Sequence, residues 1–463
     1  MFDLGRIARI TAGEFSGKRA NCALSGISTD SRNMTEGALF VPLRGVRFDG
    51  HDYLSQAVKN GAAACLSEEI VAGLPVPVVR VPDTLRALGD IAAAYRMQLS
   101  GPLVAITGSA GKTTTKEMLA GILARVAPGL KTAGNFNNLI GLPLTLLRLE
   151  PKHQWAVLEM GTSSLGEIER LTEIAQPSCG LITNIGAAHL AGLHGLEGVA
   201  RAKGELFAGL RGGMALVNLD DPRVAALPVA NGVKRITYGE TGEAEVRAEN
   251  IAADEGKVGF DLVWAEQRQR VQLQVAGRHH LHNALAAAAV ALELTVPAAE
   301  IAAGLAAFAP VQGRMELAPL PCGGVLLDDS YNSNPLSAAA ALEALAGLKG
   351  KGRRVAILGD MLELGKEAAE LHRAIGAKAA ANVDLLVAVG DFAEALCAGA
   401  GTAGMPRERA IAFAGVAQAL EFLQQEQRSG DRILVKGSRG MQLERVVAAL
   451  LQAAETTSGK QGG

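Results

Sequence analysis

The run Val104-Ala105-Ile106-Thr107-Gly108-Ser109-Ala110-Gly111-Lys112-Thr113-Thr114-Thr115 constrains the chain more than any other. An apolar run stops at a glycine-rich turn, and a helix-forming segment starts at once. Glycines let backbone N–H groups turn inward on a phosphate, and the helix N-terminus adds partial positive charge. Lys112 is then placed for the outer phosphates, and Thr113 offers a hydroxyl to Mg²⁺. Thr107, Gly108, Ser109, Ala110, Gly111, Lys112 and Thr113 are therefore the candidate nucleotide cradle. The loop is short, because Ile106 stands five positions before Gly111, where the longer loop of many switch and motor NTPases has glycine. Those classes are disfavoured.

A chain of 463 residues has length for about three domains of roughly 150 residues each. A first unit runs to about Ser100. It mixes strand-like runs at 38–43 and 76–81 with a helical stripe of Leu85, Leu88, Ala92, Tyr95 and Leu99 behind an Asp83 cap. Gly101-Pro102 breaks that helix and marks the first boundary. Strand then helix follows repeatedly: 103–107 and a helix over about 113–126, 155–160 and a helix after Ser164, 180–185 and a helix around 197–210, then 215–219. This rhythm predicts a mainly parallel sheet covered on both faces. Across 245–275 polar and apolar residues alternate (Val258, Phe260, Leu262; Val271, Leu273, Val275), predicting antiparallel strands at an edge. A second boundary falls near Gln312-Gly313. Beyond it, strands at 325–328, 354–358, 385–389 and 433–435 alternate with Ala-rich helices, which predicts a separate small α/β unit. Residues 456–463 read as a polar, Gly-rich frayed tail.

Composition removes several function classes. Hydrophobic residues make up 49% and charged ones 20%, which excludes a largely disordered chain. Aromatics are only 4%, and 45 basic against 47 acidic residues leave a net charge of −2, with no basic run to follow a phosphate backbone. Nucleic acid is not an expected partner. The longest apolar candidate for a membrane span, 284–292, stops at Glu293. The start MFDLGRIARI lacks the three parts of a signal peptide, so a cytoplasmic location is expected. Cys22, Cys65, Cys179, Cys322 and Cys397 are scattered and odd in number, which predicts reduced, mostly buried thiols rather than disulfides or a zinc ribbon.

A metal-bound nucleotide needs hard oxygen or imidazole ligands at the ends of strands beside the phosphate loop. Glu159 closes the run Trp155-Ala156-Val157-Leu158, and His189 follows Thr183-Asn184-Ile185-Gly186. A lone acid or histidine there is commonly an ordinary polar strand end. The adjacent phosphate loop is what makes these two candidate ligands.

Taken together, the segments resemble the Mur ligases, ATP-dependent amide-bond enzymes of peptidoglycan precursor synthesis, over nearly the whole chain. The resemblance rests on Ser28-Thr-Asp-Ser-Arg32, Leu39-Phe-Val-Pro-Leu-Arg-Gly45 with Phe48-Asp-Gly-His51, the short phosphate loop, Thr132-Ala-Gly-Asn-Phe-Asn-Asn-Leu-Ile-Gly-Leu-Pro143, Glu159-Met-Gly161, Asn184-Ile-Gly with His189, and Ala202-Lys-Gly-Glu-Leu206. It continues through Asp328-Asp-Ser-Tyr-Asn-Ser-Asn-Pro335, Leu358-Gly-Asp-Met361 with Glu363-Leu-Gly365, and Val435-Lys-Gly-Ser-Arg-Gly440. The Asn-rich stretch and the Asp-Asp-Ser-Tyr-Asn-x-Asn-Pro run separate this branch from sister ligases and from folylpolyglutamate synthase.

The resemblance implies three domains: 1–100 for the UDP end of the substrate, 101–312 for ATP, and a Rossmann-like 313–463 that closes over them. It implies joining the carboxylate that ends UDP-MurNAc-tripeptide to the amine of D-Ala-D-Ala through an acyl phosphate, with ATP and Mg²⁺. Thr113 and Glu159 would hold one metal and His189 a second. Lys203 matches the family lysine that is carbamylated, which turns a cation into a metal ligand. Thr29, Ser31, Arg32 and Arg47 resemble UDP contacts, although Ser-Thr-Asp-Ser also reads as a hydroxyl-rich turn. Asn135, Asn137 and Asn138 resemble muramoyl and peptide contacts. Asn283 matches a residue that reads the adenine edge, and Arg314 and Asp329 match ATP contacts.

Tyr331, Asn332, Asn334, Lys436 and Arg439 are candidates for the tripeptide or the D-Ala-D-Ala carboxylate, since a free carboxylate calls for cationic donors. In Gly277-Arg-His-His-Leu-His-Asn283 the family usually has Asn where this chain has His280. Zinc is disfavoured there because no acidic or thiol residue lies nearby in the sequence. A monomer is expected, open without substrate and closing with it about Gly101 and Gly313. The alternatives are a sister Mur-type or folylpolyglutamate-type ligase adding another amino acid, and a phosphate-loop ATPase that makes no amide.

Overall fold

The computed structural model describes residues 3–16, 22–254, 257–275 and 277–452; the expected tail at 456–463 lies outside them. The chain builds three sheets in succession. The first is made of Glu14–Ser16 (β1), Ile27–Ser28 (β2), Leu39–Phe40 (β3), Ala64–Ser67 (β4) and Val78–Arg80 (β5), in the order β1-β5-β4-β3-β2, parallel except at β1. Here the strands are shorter than the runs at 38–43 and 76–81 suggest. Pro77 and Pro82 flank β5 and have no N–H to give to a ladder. The helix Thr84–Arg96 follows, and the expected Asp83 cap accepts from the Arg86 N–H at 2.8 Å.

The second sheet contains Leu103–Thr107 (β6), Gly129–Lys131 (β7), Trp155–Glu159 (β8), Cys179–Ile182 (β9), Met214–Asn218 (β10), Lys234–Gly239 (β11), Val246–Asp254 (β12), Lys257–Trp264 (β13) and Gln267–Leu273 (β14). Its order is β14-β13-β12-β11-β10-β9-β6-β8-β7. From β7 to β12 neighbours run parallel, and β12-β13-β14 form the expected antiparallel edge. All of β6, β8 and β9 is buried, as strands covered on both faces must be. From β6 the chain moves outward to β7 and β8, and then crosses to β9 on the other side. That reversal opens a crevice at the C-terminal end of β6, where ligands of parallel sheets bind. The helix Lys112–Leu123 leaves β6 into this crevice, covered by the Ala-rich helix His279–Glu293.

The third sheet comprises Glu316–Pro319 (β15), Gly324–Asp329 (β16), Arg354–Gly359 (β17), Leu385–Val389 (β18), Ala410–Phe413 (β19) and Asp431–Lys436 (β20), ordered β15-β16-β20-β17-β18-β19 and parallel except at β15. Pairing of β16 with β20 sets Asp329 opposite Lys436 at the C-terminal ends of both strands. Directly after β16 the helix Pro335–Gly347 starts with Asn334 as its cap, in a capping box with Ser337. The expectation of mostly buried cysteines needs correction. Cys65 and Cys179 are buried, Cys22 and Cys397 are partly covered and Cys322 is exposed; all are free. Among the described residues no helix is long and apolar enough to cross a membrane.

Candidate active site

Two glycines of the phosphate loop have no substitute. Gly108 has φ +152°, and a Cβ there would lie 1.8 Å from Thr183 Oγ1. Gly111, with φ +82°, caps the helix Lys112–Leu123, and its Cβ would meet Asn283 Oδ1 at 2.3 Å. The strand on the other side of the crevice locks the loop. Asn184 Oδ1 accepts from the Ala110 N–H at 2.8 Å, Asn184 Nδ2 donates to Ala110 O at 3.0 Å, and Thr183 Oγ1 donates to the same oxygen at 2.6 Å. Ser109 Oγ donates to Gly186 O at 2.9 Å, and Thr107 Oγ1 to Met160 O at 2.8 Å. Lys112 Nζ donates to Gly108 O at 2.7 Å, and desolvation holds its amine below the ordinary lysine range.

Beside the loop, β6–β8 pairing brings Glu159 level with Ile106. Glu159 is 3% exposed, accepting at one oxygen from Thr113 Oγ1 (2.8 Å) and at the other from Asn137 Nδ2 (2.9 Å). His189 sits in a left-handed conformation (φ +54°), and its Nδ1 is hydrogen-bonded to Glu363 of the third unit. Burial lowers the His189 imidazole, Glu363 opposes that shift, and the charges of Lys112 and Lys203 add to it. Lys203 is 3% exposed and, among the described residues, has no hydrogen-bond or ion-pair partner. Its amine is driven well below the ordinary range by desolvation and then by Lys112.

A cavity of about 900 Å³ joins these groups to the third unit. It is lined by Ser109 to Thr113, Asn135, Asn137, Asn138, Glu159, His189 and Asn283 on one side, and by Arg314, Asp329, Tyr331, Asn332, Asn334, Lys436 and Arg439 on the other. The guanidinium of Arg314 stacks 4.2 Å above the Tyr331 ring, with that of Arg439 at 5.5 Å. Lys436 Nζ donates to Asp329 Oδ2 (2.6 Å) and Asn332 O (2.9 Å) in a buried pair. Asn334 is used at both ends of its amide: Oδ1 accepts from Ser337 N, and Nδ2 donates to Ser109 O at 3.0 Å. It clamps the phosphate loop from a position on the cavity wall.

Not every expected site residue lines the cavity. Thr107, Gly108 and Lys203 are not on the cavity wall, nor are Thr29, Ser31, Arg32 and Arg47 of the first unit. Arg32 is held by both oxygens of Asp30 at 2.9 Å, and Asp30 N is held by Ser28 Oγ, so this segment is indeed a hydroxyl-rich turn. Sequence reasoning missed a charged cluster, two of whose members, Asp220 and His282, line the cavity. His282 Nε2 lies 3.1 Å from Glu240 and 3.4 Å from Asp220, so acidic partners absent from the neighbouring sequence are supplied by the fold. His280 is 2% exposed with neither ring nitrogen partnered, and burial pushes its imidazole down to about 4. Among the described residues no three His, Cys, Asp or Glu side chains converge on a metal position.

Family models agree with this arrangement in chain order. The Mur ligase catalytic domain matches residues 23–96, the Mur ligase middle domain 106–291, and the Mur ligase glutamate ligase domain 313–439. The UDP-N-acetylmuramoyl-tripeptide–D-alanyl-D-alanine ligase of Escherichia coli is 39% identical over 451 residues, covering 96% of this chain and 98% of its own.

The chain belongs to the Mur ligase family.

Solved Mur ligase structures align over the same span. A crystal structure of MurF from Acinetobacter baumannii superposes with TM-score 0.90 at 35% identity, covering 97% of this chain and 98% of that one. The MurF ligase of Thermotoga maritima in complex with ADP gives TM-score 0.83 at 27% identity, covering 93% and 98%. Sequence reasoning assigned no role to Asn184 or Glu363, although both stand in the Mur ligase motifs Asn184-Ile-Gly and Glu363-Leu-Gly365. Those motifs were the available signal; the clamp and the His189 contact exist only across the fold.

Proposed function

We infer that the chain is an ATP-dependent, ADP-forming ligase of peptidoglycan precursor synthesis, which joins UDP-MurNAc-tripeptide to D-Ala-D-Ala. One observation carries this: the phosphate loop and the cationic wall of the third unit share one cavity of about 900 Å³, in a chain whose relatives of that activity match it end to end. A tripeptide carboxylate oxygen attacks the γ-phosphorus and ADP leaves. The amine of D-Ala-D-Ala then attacks the acyl carbon, loses a proton, and phosphate leaves.

Bringing a carboxylate to a triphosphate is a problem of charge. With the Ser109 and Ala110 N–H groups tied to Asn184, the N–H groups of Gly111, Lys112 and Thr113 at the helix start are the ones left for phosphate oxygens, and the Lys112 amine reaches the outer ones. Arg314, without an ion-pair partner among the described residues, adds a second cation from the third unit. Asn283 serves the nucleobase and Asp329, held by Lys436, the ribose. Tyr331, Asn332 and Arg439 face the peptide and the D-Ala-D-Ala carboxylate. Asn135 and Asn138 serve the muramoyl-peptide, and Thr29, Ser31, Arg32 and Arg47 the UDP end.

The donors fit Mg²⁺. Thr113 and Glu159 are buried, joined hard-oxygen ligands on the phosphate side, suited to one ion; His189 and Lys203 suit a second. When bound, Mg²⁺ neutralises phosphate charge and polarises the reacting oxygens. Lys203 enters as a carbamate: its buried amine, in the unprotonated form that desolvation favours, adds to CO₂, forming an N–C bond and releasing a proton, which supplies the anion that side-chain carboxylates do not. The units are cut near residues 100 and 312, work as a cytoplasmic monomer, and close about Gly101 and Gly313 on binding nucleotide and UDP substrate.

Mass analysis of the product from ATP, D-Ala-D-Ala and each UDP-MurNAc-tripeptide, ending in diaminopimelate or lysine, tests the reading. A UDP-MurNAc-pentapeptide is expected. Phosphate release with single amino acids in place of D-Ala-D-Ala would instead assign a sister ligase. X-ray scattering that shows no compaction with an ATP analogue and UDP substrate would remove the closure.

A further inference from the structure

We propose that Glu363 is a positioning residue for His189, so that the C-terminal unit completes a metal-ligating geometry belonging to the central unit; this rests on the reading of His189 as a Mg²⁺ ligand. Glu363 lies in the loop between β17 and the helix Ala368–Asn382. Its carboxylate binds His189 Nδ1, while its backbone oxygen accepts from the Ala191 N–H at 3.0 Å, two residues further on. The loop thus grips the His189 turn by side chain and by backbone. Both partners hold left-handed backbone conformations, φ +54° at His189 and φ +63° at Glu363, which side-chain-bearing residues rarely adopt. Strained residues of this kind cluster where geometry serves function.

The chemistry follows from the imidazole. A neutral ring has one N–H and one lone pair. With Nδ1–H given to the Glu363 carboxylate, the lone pair is fixed on Nε2, the nitrogen left for a metal. Metal-binding histidines generally have such a carboxylate or carbonyl behind them, and losing it costs roughly 10–100-fold in metal affinity. The Glu363 side chain is 60% exposed, so the pair contributes little to stability, and its value lies in orientation. A consequence is that the His189 ring is set only when the C-terminal unit is docked, which ties assembly of the metal site to closure.

The test uses the full chain with Mn²⁺ as the probe, its affinity read by electron paramagnetic resonance in the presence of a non-hydrolysable ATP analogue, beside thermal melting. E363Q should bind Mn²⁺ about 10-fold more weakly, with unchanged melting and unchanged KM for ATP at saturating metal. H189A should weaken Mn²⁺ at least as much, and H189A/E363Q should be no worse than H189A alone. Additive losses in the double variant, or wild-type affinity in E363Q beside weakened H189A, overturn the inference. Wild-type affinity in H189A would instead remove the reading of His189 as a ligand. Should E363Q melt early, the same cycle run with E363D decides.

Discussion

Thr113 Oγ1 donates a 2.8 Å hydrogen bond to Glu159 Oε2, joining the first turn of the phosphate-loop helix to the end of the neighbouring strand. Both residues line the cavity beside the phosphate loop. Removing either group loosens the other.

Thr113→Ala is expected to lower kcat on the order of 10²-fold, the scale of losing one preorganised polar group at a reacting phosphate. Thr113→Ser should retain most activity, because it keeps the oxygen. Phosphate release at saturating substrates across a Mg²⁺ titration measures this; an alanine variant with full kcat would exclude the role.

Lys203→Ala should lose at least ~10²-fold in turnover while melting like the parent or higher, since it removes a buried amine without a partner. Acetate or formate should restore part of the rate by supplying the missing carboxylate oxygen. A fully active Lys203→Ala enzyme rules out the carbamate.

Asn334 has two separable jobs, capping the helix Pro335–Gly347 and holding Ser109 O. Asn334→Ala should cost about 1 kcal/mol of stability through the lost cap, and weaken ATP binding as well. Asn334→Asp keeps the cap but loses the donor and places an anion beside the phosphate loop. It should melt like the parent and show a raised KM for ATP; parent-like KM in the aspartate variant would refute the clamp.

His280 predicts a pH dependence of stability. Its folded-state imidazole, at about 4, lies below the ordinary value near 6.5. The unfolded chain therefore takes up a proton first as pH falls, and stability is lost from about 6.5 down to 4, not above. Between pH 6.5 and 5 the loss is about 2 kcal/mol. His280→Asn, the residue usual in the family, should remove that part of the slope. Denaturant melts of both proteins at pH 7 and 5 measure it, and equal slopes would contradict it.

Much of this was legible along the chain because the responsible forces are local. Strand Leu103–Thr107, the glycines at 108 and 111 and the helix that follows are one short segment, and phosphate cradling uses its consecutive N–H groups. Asp83 as a cap and the alternating edge at 245–275 are likewise set by periods of a few residues. The strands β7 and β11 are not evident in the sequence, since three residues at an edge and a run opening with Lys234-Arg235 give weak apolar patterns.

Residue types and spacing by themselves determined that this chain would carry a nucleotide-phosphate loop on an α/β scaffold, with Glu159 at a neighbouring strand end; His189, expected at a strand end, lies seven residues beyond β9, before the short helix Leu190–Leu193. Tertiary structure alone decided which groups meet. Asn184 locks Ala110 from 74 positions away, Asn334 holds Ser109 across 225, and Glu363 holds His189 across 174. Such contacts follow from strand order and from docking of the third unit. Hydrophobic periodicity says which face of an element is buried, but not which other element covers it.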